Sequence, residues 1–313
     1  MAGIGNWTFT PLAESFPSTI LPNLGWWNAS NGTWAYQIQV AWPLNWTSRD
    51  AAGLVETLYV LDGNALSLTA TEAIRRRRPV DSSQPDTIIV SIGYPTQLPD
   101  SPYSSSRSYD LQIPVCANCT APEFPGVPSN ADNFITFLDT VLRPWIRGTV
   151  FPNTEFSRDA LYGHSFAGLF VLYVLLVRPE LFDTLLSASP SLWWADGYIF
   201  TQLGNLFGSS EEMAWRNVTS KPAFQISYGG LEQDQVRRRI ETDEEWASRQ
   251  ELARMFNMED NCKKLYQFFK GSDAVRDVVL HEYPFSDHAA VGGAALADGL
   301  DYFLDWPPRI AGT

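Results

Sequence analysis

Cysteine, histidine and basic charge are all scarce in this 313-residue chain. Three cysteines, an odd count, argue against a disulfide framework. Long hydrophobic runs are missing too. The longest, residues 169–177, falls well short of the roughly 20 residues a membrane-spanning helix needs. Residues 1–18 have no basic start and no continuous apolar core, so they do not read as a signal peptide. Lys and Arg number 22 against 35 Asp and Glu, a net charge of −13. A surface this acidic repels phosphate backbones and anionic lipid, so neither nucleic acid nor a membrane surface is an expected partner. The densest basic run, residues 75–78, falls where a helix should end, and cations there complement the helix dipole. Its alternative reading is a grip on an anionic substrate. These absences favour a cytoplasmic protein. Six Asn-x-Ser/Thr sequons, at Asn6, Asn28, Asn31, Asn45, Asn118 and Asn217, pull the other way and are read as unused.

Apolar residues are plentiful. They make up 45% of the chain against 18% charged, enough for a sizeable core. Short apolar runs at 34–42, 56–61, 87–92, 160–163, 184–187, 224–228 and 275–283 read as strands. Helical patterns fall at 65–78, 130–147, 165–177, 244–269 and 289–303. Continuous apolar strands alternating with helices predict an α/β fold, with a mostly parallel central sheet and helices on both faces. Nine of the 21 prolines lie between Pro79 and Pro128. Residues 94–129 show no sustained period and are read as a loop over the active site. Because the alternation resumes directly afterwards, residues 1–313 are read as one domain.

The strongest chemical signal is Gly163-His164-Ser165-Phe166-Ala167. A strand runs into Gly163 and an apolar helix starts after Ser165, the setting of a nucleophile elbow. Ala167 departs from Gly-x-Ser-x-Gly, and a plain helix-capping serine is the alternative. A serine hydroxyl needs a base. Of the three histidines, His164 lies in the elbow pointing away, His281 lies in a strand, and His288 sits between the last strand and the last helix. The order serine, acid, histidine favours His288, whose plain reading is a helix N-terminal residue after Asp287. The acid should follow the strand at 224–228, where Glu232 is favoured over Asp234. Backbone N–H groups of Phe166 and Asn64 are the expected oxyanion donors. Trp193 and Trp194 form either a substrate wall or core. Arg107 either contacts substrate or pairs with Asp110. Cys116 and Cys119 read as incidental thiols, because a zinc site would need a fourth ligand.

Four segments carry a resemblance: Leu58-Tyr-Val-Leu-Asp-Gly-Asn64, Gly163-His-Ser-Phe-Ala-Gly-Leu-Phe170, Ser187-Ala-Ser-Pro-Ser-Leu-Trp-Trp194 and Asp287-His288. Together they resemble the esterase D-like branch of the α/β hydrolases, within it the siderophore esterases acting on triacetylfusarinine C, enterobactin and bacillibactin. The resemblance runs from about residue 36 to residue 303. It implies the α/β-hydrolase fold and ester hydrolysis, with serine, histidine and oxyanion positions on Ser165, His288, Asn64 and Phe166. It also implies a small-molecule ester substrate, iron-loaded if a siderophore. No metal or organic cofactor is required for such chemistry. With no basic cluster read beyond residues 75–78, the net charge favours a neutral ferric tris-hydroxamate over an anionic tris-catecholate. Polyketide-type, feruloyl and thioester substrates, acyl transfer, and a non-catalytic binding protein are the competing readings. Oligomeric state is not legible.

Overall fold

A computed structural model of the chain describes residues 5–115, 128–208 and 220–305. Cys116, Cys119, the sequons Asn118 and Asn217, and the centre of the proline-rich segment lie outside the described residues. The chain divides into two compact units, Met1–Leu161 and Tyr162–Thr313.

The first unit is built on β1 (Thr8–Ala13), β2 (Leu24–Ser30), β3 (Ala35–Ala41), β4 (Leu54–Leu61) and β5 (Thr87–Gly93), in the order β1-β2-β3-β5-β4. Only β4 and β5 pair in parallel; the others are antiparallel. The sequence reading found β3, β4 and β5 but not β1 and β2. In β2 the buried residues Trp27 and Ala29 alternate with Asn28 and Ser30, yet Trp26 on the outward side hides the period. Every residue of β5 is buried, so it reads as one apolar run rather than an alternation.

Helix α1 (Gly63–Val80) crosses from β4 to β5 and packs on them. Its closing arginines are engaged: Arg75 with the carbonyls of Pro22 and Asn23, Arg76 with Glu72, Arg77 with Gln84 and Arg78 with Asp86. Among its described residues, the proline-rich segment contains one short helix, α2 (Arg107–Leu111). The helix expected at 130–147 is present as one unbroken helical run over 131–150, with π-wound stretches within it. It comprises α3 (Ala131–Phe137), a π-wound turn (Leu138–Leu142), α4 (Arg143–Trp145) and a second π-wound turn (Ile146–Val150).

Strand β6 (Glu155–His164) carries the chain from the first unit into the second. There β7 (Thr184–Ala188), β8 (Ala223–Gly229) and β9 (Asp277–Tyr283) pair in parallel. Strands β7 and β8 are wholly buried, while β9 is partly exposed, as befits an edge. Helices α5 (Phe166–Val177), α6 (Trp194–Gly208), α7 (Asp243–Phe256), α8 (Met258–Phe269) and α9 (His288–Leu304) complete the unit. Two corrections apply. Helix α6 is interrupted at its start, where Ala195, Asp196 and Gly197 have left-handed angles (φ 50°, 56° and 73°), so the two tryptophans do stand in a loop and the regular helix runs from Tyr198, a helix the sequence reading lacked. The stretch expected as one helix at 244–269 breaks at Asn257, which adopts a left-handed conformation (φ 45°, ψ 47°). Asparagine tolerates that conformation better than most residues do. No helix of the described residues is long and apolar enough to cross a membrane.

Candidate active site

Ser165 sits between the end of β6 and the start of α5 with φ 61° and ψ −120°. A positive φ at a non-glycine residue costs about 1–3 kcal/mol and persists only where its surroundings enforce it. Here the Ser165 N–H donates to the Ala188 carbonyl at 3.0 Å, and its carbonyl accepts from the N–H groups of Leu169 and Ser191 at 3.0 and 3.1 Å. Helix α5 is anchored by burial of all but Phe166, Tyr173 and Val177. The close crossing of strand and helix explains the small residues. A Cβ on Gly163 would lie 2.3 Å from the Ala167 carbonyl oxygen, so only glycine fits there. Ala167 itself is fully buried. The departure from glycine at that position is accommodated because its methyl group meets a glycine. Ser165 Oγ lies 3.3 Å from Ser191 Oγ.

His288 opens α9, whose N-cap Asp287 accepts from the N–H groups of Ala289 and Ala290. Nδ1 of His288 lies 2.5 Å from Oε1 of Glu232. Two glycines create this meeting. A Cβ on Gly229 would lie 2.3 Å from the Ser286 carbonyl, and one on Gly230 2.8 Å from the Pro284 carbonyl. The turn after β8 therefore lies flush against the turn after β9, joined by Gly230 N–H to Tyr283 O and Leu231 N–H to Ser286 O. The Glu232 side chain is almost fully buried, and its Oε2 accepts from Ser189 Oγ and from the Gly229 N–H, both at 2.6 Å. Asp234, two residues on, is exposed.

The other histidines take different places. The His164 ring is buried and packs against Gly292 of α9, its centroid 4.5 Å from that of His288. His281 is exposed on β9 and stacks on Tyr283. The two tryptophans separate. Trp194 is 1% exposed and belongs to the core. Trp193 is half-buried, stacked on Phe256 at 4.4 Å and within 5.9 Å of Phe166. Phe166 is the first residue of α5, so its N–H belongs to the positive end of that helix.

Asn64 and Arg107 belong to the first unit. Asn64 is the second residue of α1. Its side chain accepts from the Tyr94 N–H at 2.6 Å and donates to the Tyr94 carbonyl and to Gln37. Arg107 does not pair with Asp110. It makes a two-pronged contact with Asp62, at 2.8 and 2.6 Å, and so braces the turn that leads into Asn64. A partner 45 residues away could not be read from the sequence. Asp110 accepts instead from Tyr94 and Asn130.

The sequence reading passed over Ser189, Ser191 and a second basic run, Arg237-Arg238-Arg239, exposed on the loop after Glu232. The run itself was the available signal. Arg238 lies 3.7 Å from Asp287, next to His288.

Comparison with known proteins bears on the family and the fold. The chain is 39% identical over 303 residues to the siderophore enterobactin esterase of Emericella nidulans, covering 94% of this chain and 97% of that one. It is 34% identical over 280 residues to the siderophore triacetylfusarinine C esterase of Aspergillus fumigatus, covering 88% and 91%. Among solved structures, the siderophore hydrolase EstA from Aspergillus nidulans superposes with a TM-score of 0.84 at 38% identity, covering 95% of this chain and 98% of that one. The fold is that of the α/β hydrolases. The profile of the Putative esterase family matches residues 30–289, and the chain belongs to that family of esterases.

Proposed function

We propose that the protein is a serine esterase that cleaves the ester bonds of a cyclic siderophore. The observation that carries the chemistry is the buried Glu232 carboxylate on Nδ1 of His288, in the unit that also holds Ser165 in its elbow. Ser165 Oγ attacks the ester carbonyl carbon while Nε2 of His288 takes its proton. Glu232 fixes the imidazole and stabilises the imidazolium that forms. Charge growing on the carbonyl oxygen is met by the Phe166 N–H at the start of α5. Collapse breaks the carbon–oxygen bond, and His288 returns its proton to the leaving alkoxide. Water, activated by His288, then hydrolyses the acyl-enzyme. Trp193, with Phe166 and Phe256 beside it, offers an apolar wall to the acyl portion. Arg107, held by Asp62, braces the turn that leads into Asn64. Iron arrives as part of the substrate, and opening the ring weakens its chelation.

The siderophore class rests on two relatives of near-full length named for such substrates. The net charge of −13 favours a neutral ferric tris-hydroxamate. A second reading, the anionic tris-catecholate, is favoured by the exposed Arg237-Arg238-Arg239 run after Glu232 and by the 39%-identical relative named for enterobactin. The test is product analysis by mass spectrometry. Wild type and Ser165→Ala are incubated with ferric triacetylfusarinine C, ferric enterobactin, a feruloyl ester and a short p-nitrophenyl ester. Cleavage of a cyclic siderophore by wild type alone is expected, and the preferred one decides the head group. Cleavage of the p-nitrophenyl ester only would refute the siderophore reading.

A further inference from the structure

We propose that Ser189 is a positioning residue of the catalytic apparatus, acting on the reaction only through Glu232. The inference rests on the serine-esterase reading above.

Three observations carry it. First, Ser189 Oγ donates to Glu232 Oε2 at 2.6 Å, and the Gly229 N–H donates to the same oxygen at 2.6 Å. With Oε2 held by two donors, the carboxylate cannot swing, and Oε1 alone is presented to His288 at 2.5 Å. Second, Ser189 is 0% exposed, so its hydroxyl has no access to substrate or bulk water. Any influence of the hydroxyl itself on turnover must pass through the acid. No solvent stands ready to replace its hydrogen bond, and an anionic oxygen in such surroundings depends on the donors built around it. Third, the backbone is distorted to put the hydroxyl there. Ser189 has φ 41°, in the left-handed region, directly before Pro190. Its own N–H donates to the Ser227 carbonyl at 2.7 Å, which ties the end of β7 to β8 just before the turn that carries Glu232. A serine in that conformation is costlier than a glycine, which takes a positive φ without penalty. The hydroxyl is what glycine would lack.

The Ser189-Pro190-Ser191 segment thus meets both halves of the apparatus. Ser189 holds the acid, and Ser191 lies against the nucleophile. Glu232 and Ser165 are 67 positions apart in sequence, and this one turn spans them.

The test is a kinetic double-mutant cycle on a p-nitrophenyl ester, with Ser189→Gly and Ser189→Ala, each made in wild type and in Glu232→Ala. Ser189→Gly keeps the positive φ available, so it removes the hydroxyl without adding backbone strain. In wild type, kcat is expected to fall about 10- to 100-fold, the size of a lost hydrogen bond to a charged group, with KM changed by less than about two-fold. In Glu232→Ala the same substitution is expected to cost less than about three-fold, because its only route of action is gone. Thermal melting of every variant accompanies the kinetics, and Ser189→Gly is read if Ser189→Ala fails to fold. Three outcomes would overturn the proposal: kcat of Ser189→Gly within about two-fold of wild type, a loss confined to KM, or an equal loss with and without Glu232. Ser165→Ala is run alongside. Full activity in that variant would refute the serine-esterase reading itself, a failure distinguishable from the other three.

Discussion

Two carboxylates, Glu232 in the second unit and Asp110 in the first, are both nearly inaccessible to solvent, yet their surroundings put them to opposite uses. Glu232 lies against an imidazole at 2.5 Å, and two further donors hold its other oxygen. Its charge is placed where a proton transfer makes a cation beside it. Asp110 is instead closed in by the neutral donors Tyr94 and Asn130. Burial pushes its pKa up to about 6, even though Asn130, Tyr94 and Tyr36 hydrogen-bond to it and work in the other direction. A buried carboxylate is therefore not in itself a sign of catalysis. The partner that can take up charge makes the difference.

The largest expected effects sharpen that contrast. Ser165→Ala should lower kcat by about 10⁴-fold or more, and Glu232→Gln by about 10³- to 10⁴-fold, measured on any ester the wild type cleaves. Asp234→Asn and Asp110→Asn should each stay within about three-fold of wild type in the same assay. A large loss in Asp234→Asn would break the assignment of the acid.

The second unit offers its own contrast in adjacent residues. Trp194→Ala should cost about 3–5 kcal/mol of stability, because it empties a fully buried site. Trp193→Ala should leave the denaturant midpoint nearly unchanged and raise KM. Equal destabilisation by both would return Trp193 to the core.

The pH dependence of stability tests Asp110. Its pKa in the folded chain lies above the ordinary 3.8, so the native state holds the proton more tightly than the unfolded chain does. This carboxyl therefore favours folding while protonated. Its contribution is lost as pH rises from about 4 to about 6, on the order of 3 kcal/mol in all. Asp110→Asn should be spared that loss, so its melting temperature should gain on wild type across this window and hold the gain at neutrality. A constant difference at all pH values would contradict the account. The smallest expected effect is electrostatic. Arg239→Gln should lower kcat/KM for ferric enterobactin by about three-fold at low ionic strength, and by less in about 0.5 M salt.

Much of this arrangement was legible in the sequence, and what was not has physical causes. The elbow is local: a small residue, a serine and an apolar helix within a dozen positions. The proposed base, His288, was picked out by its place between the last strand and the last helix. Glu232 and Asp234 were hard to separate, because two carboxylates in one turn differ only in which way the turn faces. Two distant features decide that direction: the close approach of Gly229 and Gly230 to residues 284–286, and the hydroxyl of Ser189. The partner of Arg107 was invisible for the same reason. Strands β1 and β2 escaped because β1 is largely exposed and Trp26 interrupts the alternation in β2. The run at 237–239 was readable but fell in the shadow of the longer run at 75–78; both runs have partners, and in the shorter one Arg237 pairs with Asp243 and Arg238 with Asp287.

The central claim is that Ser165 is a nucleophile activated by the His288–Glu232 pair. Its most direct test is covalent labelling with a fluorophosphonate, read by intact mass and peptide mapping. The account predicts one adduct per chain, on the peptide containing Ser165. The adduct should be absent in Ser165→Ala and form far more slowly in His288→Ala and Glu232→Gln. No adduct in the wild type, or an adduct that persists in Ser165→Ala, would contradict it.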